Sequence, residues 1–175
     1  MNIEEFIRDV PDFPKPGIIF KDITPLLGNI EALRRSVQLL AEPYRQSGVG
    51  IVTGVESRGF IFGAMLAGEL DVGFVPIRKP NKLPAETLSE SYELEYGTDT
   101  VEIHADAISA GQKVLMCDDL LATGGTIEAA CKLVAKLGGD IVAAVFVVEL
   151  SFLSGRAKLD ALGVQTHSLI KVSGE

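Results

Sequence analysis

At 175 residues, 47% hydrophobic and 23% charged, the chain suits one domain over residues 1–175 with an ample core and leaves little room for a second. A formal charge of −8 argues against a nucleic-acid partner or an anionic membrane surface, so any anionic ligand must be held by a small basic site. The first six residues lack the basic region of a signal peptide and the longest apolar run, 141–148, is far too short to span a bilayer; a cytoplasmic protein is expected, with Cys117 and Cys131 as small buried hydrophobes.

In chain order, Asn2 and Glu5 read as a helix cap, with Ile3, Phe6, Ile7 and Val10 on one apolar face of a short N-terminal helix. Three prolines and a glycine in residues 10–17 then make a stiff, turning segment ahead of Ile18-Ile19-Phe20. On spacing alone, a packed entry strand with Phe20 in the core is one alternative for this segment. Ile30, Leu33, Val37, Leu40 and Tyr44 follow the helical period behind Asn29, which predicts a covering helix. Residues 50–55 read as a buried strand, broken by Glu56-Ser57-Arg58-Gly59-Phe60 before a small-residue helix over 61–70. This break can hold an anion: Gly59 frees the backbone, a helix N-terminus follows, and Arg58 supplies a forked cation suited to phosphate oxygens.

Residues 72–77 form another short apolar strand, ending in Arg78, Lys79 and Lys82. These three cations add to an anion site, serve a partner subunit's site, or make a solvated basic turn. Residues 80–92 are polar without a helical stripe and read as a mobile loop of the kind that forms lids, flanked by a β-ribbon from 93–97 and 100–103. Next, the apolar run from Val114 ends in Asp118 and Asp119, followed by a Thr/Gly-rich turn and a helical stripe through Ile127, Cys131, Val134 and Leu137. That is strand, loop, helix, and the acids arrive where open α/β sheets bind ligands. Gly124 and Gly125 let amides converge, Thr123 and Thr126 add hydroxyl donors, and the helix beginning near Ile127 adds its positive end, so the turn should hold a phosphate monoester.

The acids cannot share that phosphate, since two unit charges about 6 Å apart repel by roughly 3 kcal/mol at an effective dielectric near 20. They require hydroxyls or a metal, and the combination describes a ribose phosphate with its diol on the acids. Because successive strand side chains point to opposite faces, both acids reach one diol only if the strand has broken there. A P-loop is absent from the sequence, and the acids precede the glycines instead of following them as in a dinucleotide fold. Beyond Gly138-Gly139, the β-branched and aromatic run 141–148 predicts a strand covered on both faces, hence a parallel sheet, and 164–170 a last edge strand. His104 and His167 have no third ligand nearby in sequence, and a metal cluster is not expected.

The string Asp118-Asp119-Leu120-Leu121-Ala122-Thr123-Gly124-Gly125-Thr126 resembles the phosphoribosyl pyrophosphate signature of the type I phosphoribosyltransferases, in the version carried by the adenine phosphoribosyltransferases. With Phe-Pro-Lys-Pro-Gly-Ile-Ile-Phe-Lys-Asp-Ile-Thr-Pro at 13–25, the loop 56–60 and Leu-Ser-Gly-Arg-Ala-Lys-Leu at 153–159, the resemblance spans nearly the whole chain in order. It implies an α/β fold, a mostly parallel sheet flanked by helices, with an N-terminal hood over about 1–28 and a mobile lid over about 79–97. It implies that Phe20 stacks on a purine while backbone groups of Ile19 and Lys21 read its edge. Glu56, Ser57, Arg58 and Gly59 would hold pyrophosphate, often with a cis peptide between the first two. Leu120 would help discriminate the base, and Ala122 to Thr126 would hold the 5′-phosphate. Glu95, in Leu-Glu-Tyr-Gly, would handle the purine proton, though Glu86, Glu90 and Glu93 are equally placed by sequence, and Asp118 and Asp119 would complete the catalytic set. The implied reaction joins adenine to phosphoribosyl pyrophosphate, giving AMP and pyrophosphate, with magnesium held mainly through substrate, in a homodimer. Competing expectations are a phosphoribosyltransferase for another base, or a regulator that binds phosphoribosyl pyrophosphate without turnover.

Overall fold

The computed structural model describes residues 1–94 and 97–174. The chain opens with a 3-10 turn, Ile3–Phe6, whose Glu4 amide is met by the Asn2 side chain, and passes at once into strand β1 (Arg8–Pro11). The expected N-terminal helix is thus a single turn, and Val10 lies in a strand. Pro11 and Pro14 deny a helix its amide ladder, whereas extension lets β1 pair with β2 (Ile19–Asp22), setting Arg8 against Asp22 and Asp9 against Lys21 in ion pairs of 2.6 Å each.

Helices α1 (Thr24–Leu27) and α2 (Ile30–Ala41) follow, α2 capped by the Asn29 side chain and continued to Tyr44 as a 3-10 turn where Pro43 interrupts the amide ladder. Then come β3 (Ile51–Val55), α3 (Gly59–Leu70), β4 (Gly73–Ile77), β5 (Thr87–Glu93), β6 (Thr98–His104), β7 (Lys113–Leu121), α4 (Gly125–Lys136), β8 (Asp140–Leu150), α5 (Gly155–Ala161) and β9 (Thr166–Val172). Five strands form one parallel sheet in the order β4-β3-β7-β8-β9, while β1-β2 and β5-β6 are separate antiparallel pairs. The sheet is parallel and helix-flanked as the resemblance implied, with β9 at its edge.

The alternating sides of the sheet serve two apolar layers. Leu115, Cys117 and Val145 pack with Leu33, Leu40, Phe62 and Leu66 of α2 and α3; Val114, Met116 and Phe146 pack with Ile127, Cys131 and Leu133 of α4 and with Val101 and Ile103 of β6. Residues 143–148 are fully buried, as a strand covered on both faces must be. Among the described residues no helix is long and apolar enough to cross a membrane.

One expectation changes. The polar stretch read as irregular up to Tyr92 includes β5, which pairs with β6 from Thr87–His104 to Glu93–Thr98, so the ribbon starts earlier, and beyond the last pair the Leu94 amide bonds the Gly97 carbonyl. Its sheltered positions are Leu88, Glu90 and Tyr92. A glutamate at the middle inward position masks the period; it is accommodated because Lys136 of α4 bonds it at 2.6 Å.

At the far end, Glu149 of β8 is almost wholly buried and forms a two-pronged pair with Arg156 of α5 at 2.5 and 2.7 Å. The Arg156 guanidinium holds its carboxyl below the usual range, against the opposing effect of burial. Stability from this pair is therefore fully present above pH 4.5, the ordinary value, and is lost as pH falls through the depressed folded value. Arg156→Ala should cost roughly 3 kcal/mol at neutral pH by leaving a buried charge unpaired, and should flatten the acid limb of stability in urea titrations between neutral pH and the acid range; an unchanged midpoint would show that α5 is held by other contacts.

Candidate active site

Strands β3 and β7 pair only as far as Gly54 and Cys117, while β7 continues beside β8 to the Leu121–Glu149 pair. Beyond Val55, β3 gives way to the loop 56–58, and a crevice opens between the carboxyl ends of the two central strands. The expected break before the acids is thus one-sided: β7 has lost its β3 neighbour but not its β8 ladder. The open flank suffices, because Asp118 and Asp119 both line one cavity of about 310 Å³, together with Glu56, Ser57, Arg58, Lys79, Leu120 and Thr126.

Within this cavity Asp119 is buried, and its Oδ2 accepts from Arg58 Nε at 2.5 Å. Asp118 Oδ1 accepts from the Asp119 amide at 2.9 Å and lies where a Cβ on Gly59 would stand 2.7 Å away. Gly59 is therefore required for space: a side chain there would drive Asp118 out of the crevice. Burial and the neighbouring Asp119 charge push the Asp118 carboxyl well up, with Arg58 opposing them. Burial also raises both thiols, Cys131 to about 12, so neither is a nucleophile at neutral pH.

The Glu56–Ser57 peptide is cis, as the resemblance implied, and α3 begins at Gly59, two residues before the expected start. Its N-terminus thereby lies next to Arg58. The three cations after β4 separate in role. Arg78 bonds Glu56 at 3.2 and 3.3 Å, and the Lys79 amide, then Arg78, hold that carboxyl below its usual range. Lys82 offers its carbonyl to Arg78 at 3.2 Å, and only Lys79 of the three lines the cavity.

An adjoining hollow of about 100 Å³ is formed by residues 120–127 with Asp118, and so contains Leu120, Ala122, Thr123, Gly124, Gly125 and Thr126. Gly124, at φ +79°, caps α4, which starts two residues earlier than the apolar stripe suggested. The first helical bond runs from Glu128 N to Gly124 O, so the amides of Gly125, Thr126 and Ile127 precede it without intrahelical partners, as an anion site needs. The loop is braced from behind by α5: a Cβ on Gly124 would come within 2.7 Å of Gly155 Cα, and one on Gly155 within 2.4 Å of the Ala122 carbonyl. The 153–159 block is thus a support for the loop, through backbone contact only glycine permits.

Phe20 belongs to neither core layer. Its ring meets Phe13 edge-on at 5.2 Å and lies 5.8 Å from the guanidinium of Arg58, the residue that bonds Asp119, which decides against a core role. Ile19 is 54% exposed and Lys21 is paired with Asp9; neither side chain lines the cavity. Glu95 lies outside the described residues. Of its alternatives, Glu90 is engaged by Lys136, and Glu93 lines a hollow on the other side of Gly125. Sequence reasoning passed over Tyr92, whose hydroxyl meets both Lys79 and Thr126; the available signal was an aromatic alternating with Leu88 in an otherwise polar stretch.

The phosphoribosyl transferase domain family matches residues 27–170. An adenine phosphoribosyltransferase of Serratia proteamaculans is 58% identical over 172 residues, 98% of this chain and 87% of the relative. Among solved structures, the adenine phosphoribosyltransferase of Thermoanaerobacter pseudethanolicus aligns with a TM-score of 0.92 at 56% identity, covering 97% of this chain and 98% of that one. The Saccharomyces cerevisiae enzyme, complexed with an imino-altritol bisphosphate and adenine, aligns with a TM-score of 0.88 at 41% identity, covering 95% and 96%. A shared fold, and 56–58% identity across 97–98% of the chain, lead to one conclusion, that this chain belongs to the phosphoribosyltransferases and, within them, to the adenine phosphoribosyltransferases.

Proposed function

We propose that the chain is a purine-salvage transferase that moves the phosphoribosyl group of phosphoribosyl pyrophosphate onto adenine, yielding AMP and pyrophosphate. The observation that carries this reading is the placement of a buried carboxylate pair between two anion cradles, with the Phe20 ring beside Arg58. The 5′-phosphate sits on the amides of Gly125 to Ile127 and the hydroxyl of Thr123; Thr126 contributes its amide while its hydroxyl stays on Tyr92. The ribose diol donates to Asp118 and Asp119, and the pyrophosphate lies on Ser57, Arg58, Gly59 and Lys79. Arg58 leaves Asp119 for the pyrophosphate when the diol takes its place on that carboxylate. Adenine enters between Phe20 and Leu120, where backbone groups of Ile19 and Lys21 read its edge.

Adenine N9 attacks ribose C1′ as the bond from C1′ to the pyrophosphate oxygen breaks, with inversion and an oxocarbenium-like transition state. The N9 proton passes to a carboxylate, for which Glu95 is the candidate. Rate comes from alignment of N9, C1′ and leaving oxygen, and from cations already placed where the leaving group gains charge. Closure of the ribbon tip over the substrate would exclude water, which otherwise competes with adenine for C1′.

Magnesium is the cofactor proposed. Asp118 and Asp119 are hard oxygen donors at the site, but Arg58 occupies one and the Asp119 amide the other, so substrate oxygens would supply most of the coordination. When bound, the ion would neutralise charge on the pyrophosphate. A cytoplasmic location and a homodimer are part of the same proposal, supported by the acidic composition and the family respectively.

The deciding experiment is a panel of adenine, guanine, hypoxanthine and orotate with phosphoribosyl pyrophosphate and magnesium, read by product identity. AMP should form fastest, and formation of another nucleotide at a higher rate would reassign the base. Asp119→Asn should lower kcat/KM by roughly ten- to a hundredfold, the loss of one charge-assisted hydrogen bond, with unchanged circular dichroism; unaltered kinetics would remove Asp119 from the site. For Arg58→Ala, affinity for phosphoribosyl pyrophosphate should fall more than affinity for AMP, which has no pyrophosphate, and equal losses would misplace the 56–60 loop.

A further inference from the structure

The hydroxyl of Tyr92 stands between the two anion cradles with its bonding capacity filled. It accepts from Lys79 Nζ at 2.9 Å and from Thr126 Oγ1 at 3.0 Å, and it donates to Asp99 Oδ2 at 3.0 Å. A phenol has one proton to give and two acceptor sites. Asp99 closes the ring by pairing with Lys79 as well, and the Thr100 amide steadies it at 2.8 Å. Burial works against the Lys79 ammonium, yet its bonds to Asp99 and Tyr92 leave it above its ordinary value, while Lys79 holds Asp99 below its own. Lys79 and Thr126 both line the cavity, one from the pyrophosphate side and one from the first turn of α4. The Tyr92 ring also rests on the phosphate loop, since a Cβ on Gly125 would meet it at 3.0 Å.

We propose that Tyr92 is a positioning residue for phosphoribosyl pyrophosphate, holding Thr126 of the phosphate loop and Lys79 of the pyrophosphate side in fixed register so that the donor is gripped at both ends together. The inference rests on the phosphoribosyl-transfer reading. AMP occupies only the phosphate end and inorganic pyrophosphate only the other, so either can be followed by a loosened partner. Phosphoribosyl pyrophosphate spans both cradles and depends on their separation being set beforehand. A residue that merely supported the fold would affect all three ligands alike.

Calorimetric titrations with magnesium present, using phosphoribosyl pyrophosphate, AMP and inorganic pyrophosphate in turn, test this on the full chain. Tyr92→Phe keeps the ring on Gly125 and removes only the hydroxyl. It should raise Kd for phosphoribosyl pyrophosphate by roughly tenfold, the worth of a hydrogen bond to a charged group, and Kd for AMP and pyrophosphate by less than about threefold. In turnover, KM for phosphoribosyl pyrophosphate should rise while kcat and the adenine KM stay near wild type. Asp99→Asn should give the same pattern, and the double variant should be no worse than the weaker single one, because both act through one ring; Asp99→Asn carries the test should Tyr92→Phe fail to fold. Equal weakening of the three ligands, additive losses, or no change in phosphoribosyl pyrophosphate affinity would overturn the proposal. A wild-type protein that binds phosphoribosyl pyrophosphate with this Tyr92 dependence but makes no AMP would sink the transfer reading alone, and one that does not bind it would sink both.

Discussion

The parting of β3 from β7 beyond Gly54 and Cys117 is the constraint on which the rest of the structure depends. Two parallel strands that stay paired to their ends leave no room between them. Here β3 ends at Val55 and gives way to the 56–58 loop while β7 runs on beside β8 for four more residues, so one flank of β7 opens without loss of its backbone support. Two carboxylates can then stand in a crevice on a rigid strand, in contrast to a floppy turn. Their mutual repulsion is contained by Arg58 on one and a backbone amide on the other, which makes the unliganded arrangement tolerable and leaves both partners replaceable by a polyhydroxylated anion.

Close backbone approach does the remaining work. Gly59 lets α3 start against Asp118, and Gly124 with Gly155 lets α5 support the phosphate loop without intervening side chains. The two anion cradles are therefore each made of a helix N-terminus pressed against the end of β7, which anchors both of them to one strand on that side. On the open side, the β5-β6 ribbon closes the circuit through Tyr92, Lys79, Asp99 and Thr126. A chain with a net charge of −8 thus presents Arg58 and Lys79 together in the crevice, which favours specific over diffuse attraction.

The relation of these parts to the sequence is uneven, for physical reasons. Strand, acid pair, glycine turn and helix are consecutive at 113–136, so local rules sufficed: apolar run, turn chemistry, helical stripe. The covering helix α2 and the buried strand β8 were legible because burial writes a period or an unbroken apolar run into the chain. The N-terminal helix was misread because its apolar spacing is equally served by a 3-10 turn and a strand, and the choice belongs to β2, whose residues lie eight to fourteen positions from their β1 partners. Strand β5 was hidden because its inward glutamate is compensated by Lys136, a partner no local window contains.

By itself the sequence determined that the protein is an α/β domain with two glycine-bearing strand-to-helix turns and an acid pair ahead of one of them, since each of these is made of neighbouring residues whose chemistry is read in place. Only the tertiary structure decided which of the basic residues after β4 reaches the cavity, that the Phe20 ring lies against Arg58 instead of in the core, and that a tyrosine joins Lys79 to Thr126. Those outcomes depend on contacts between segments tens of residues apart, where many pairings satisfy the same local pattern and packing selects one.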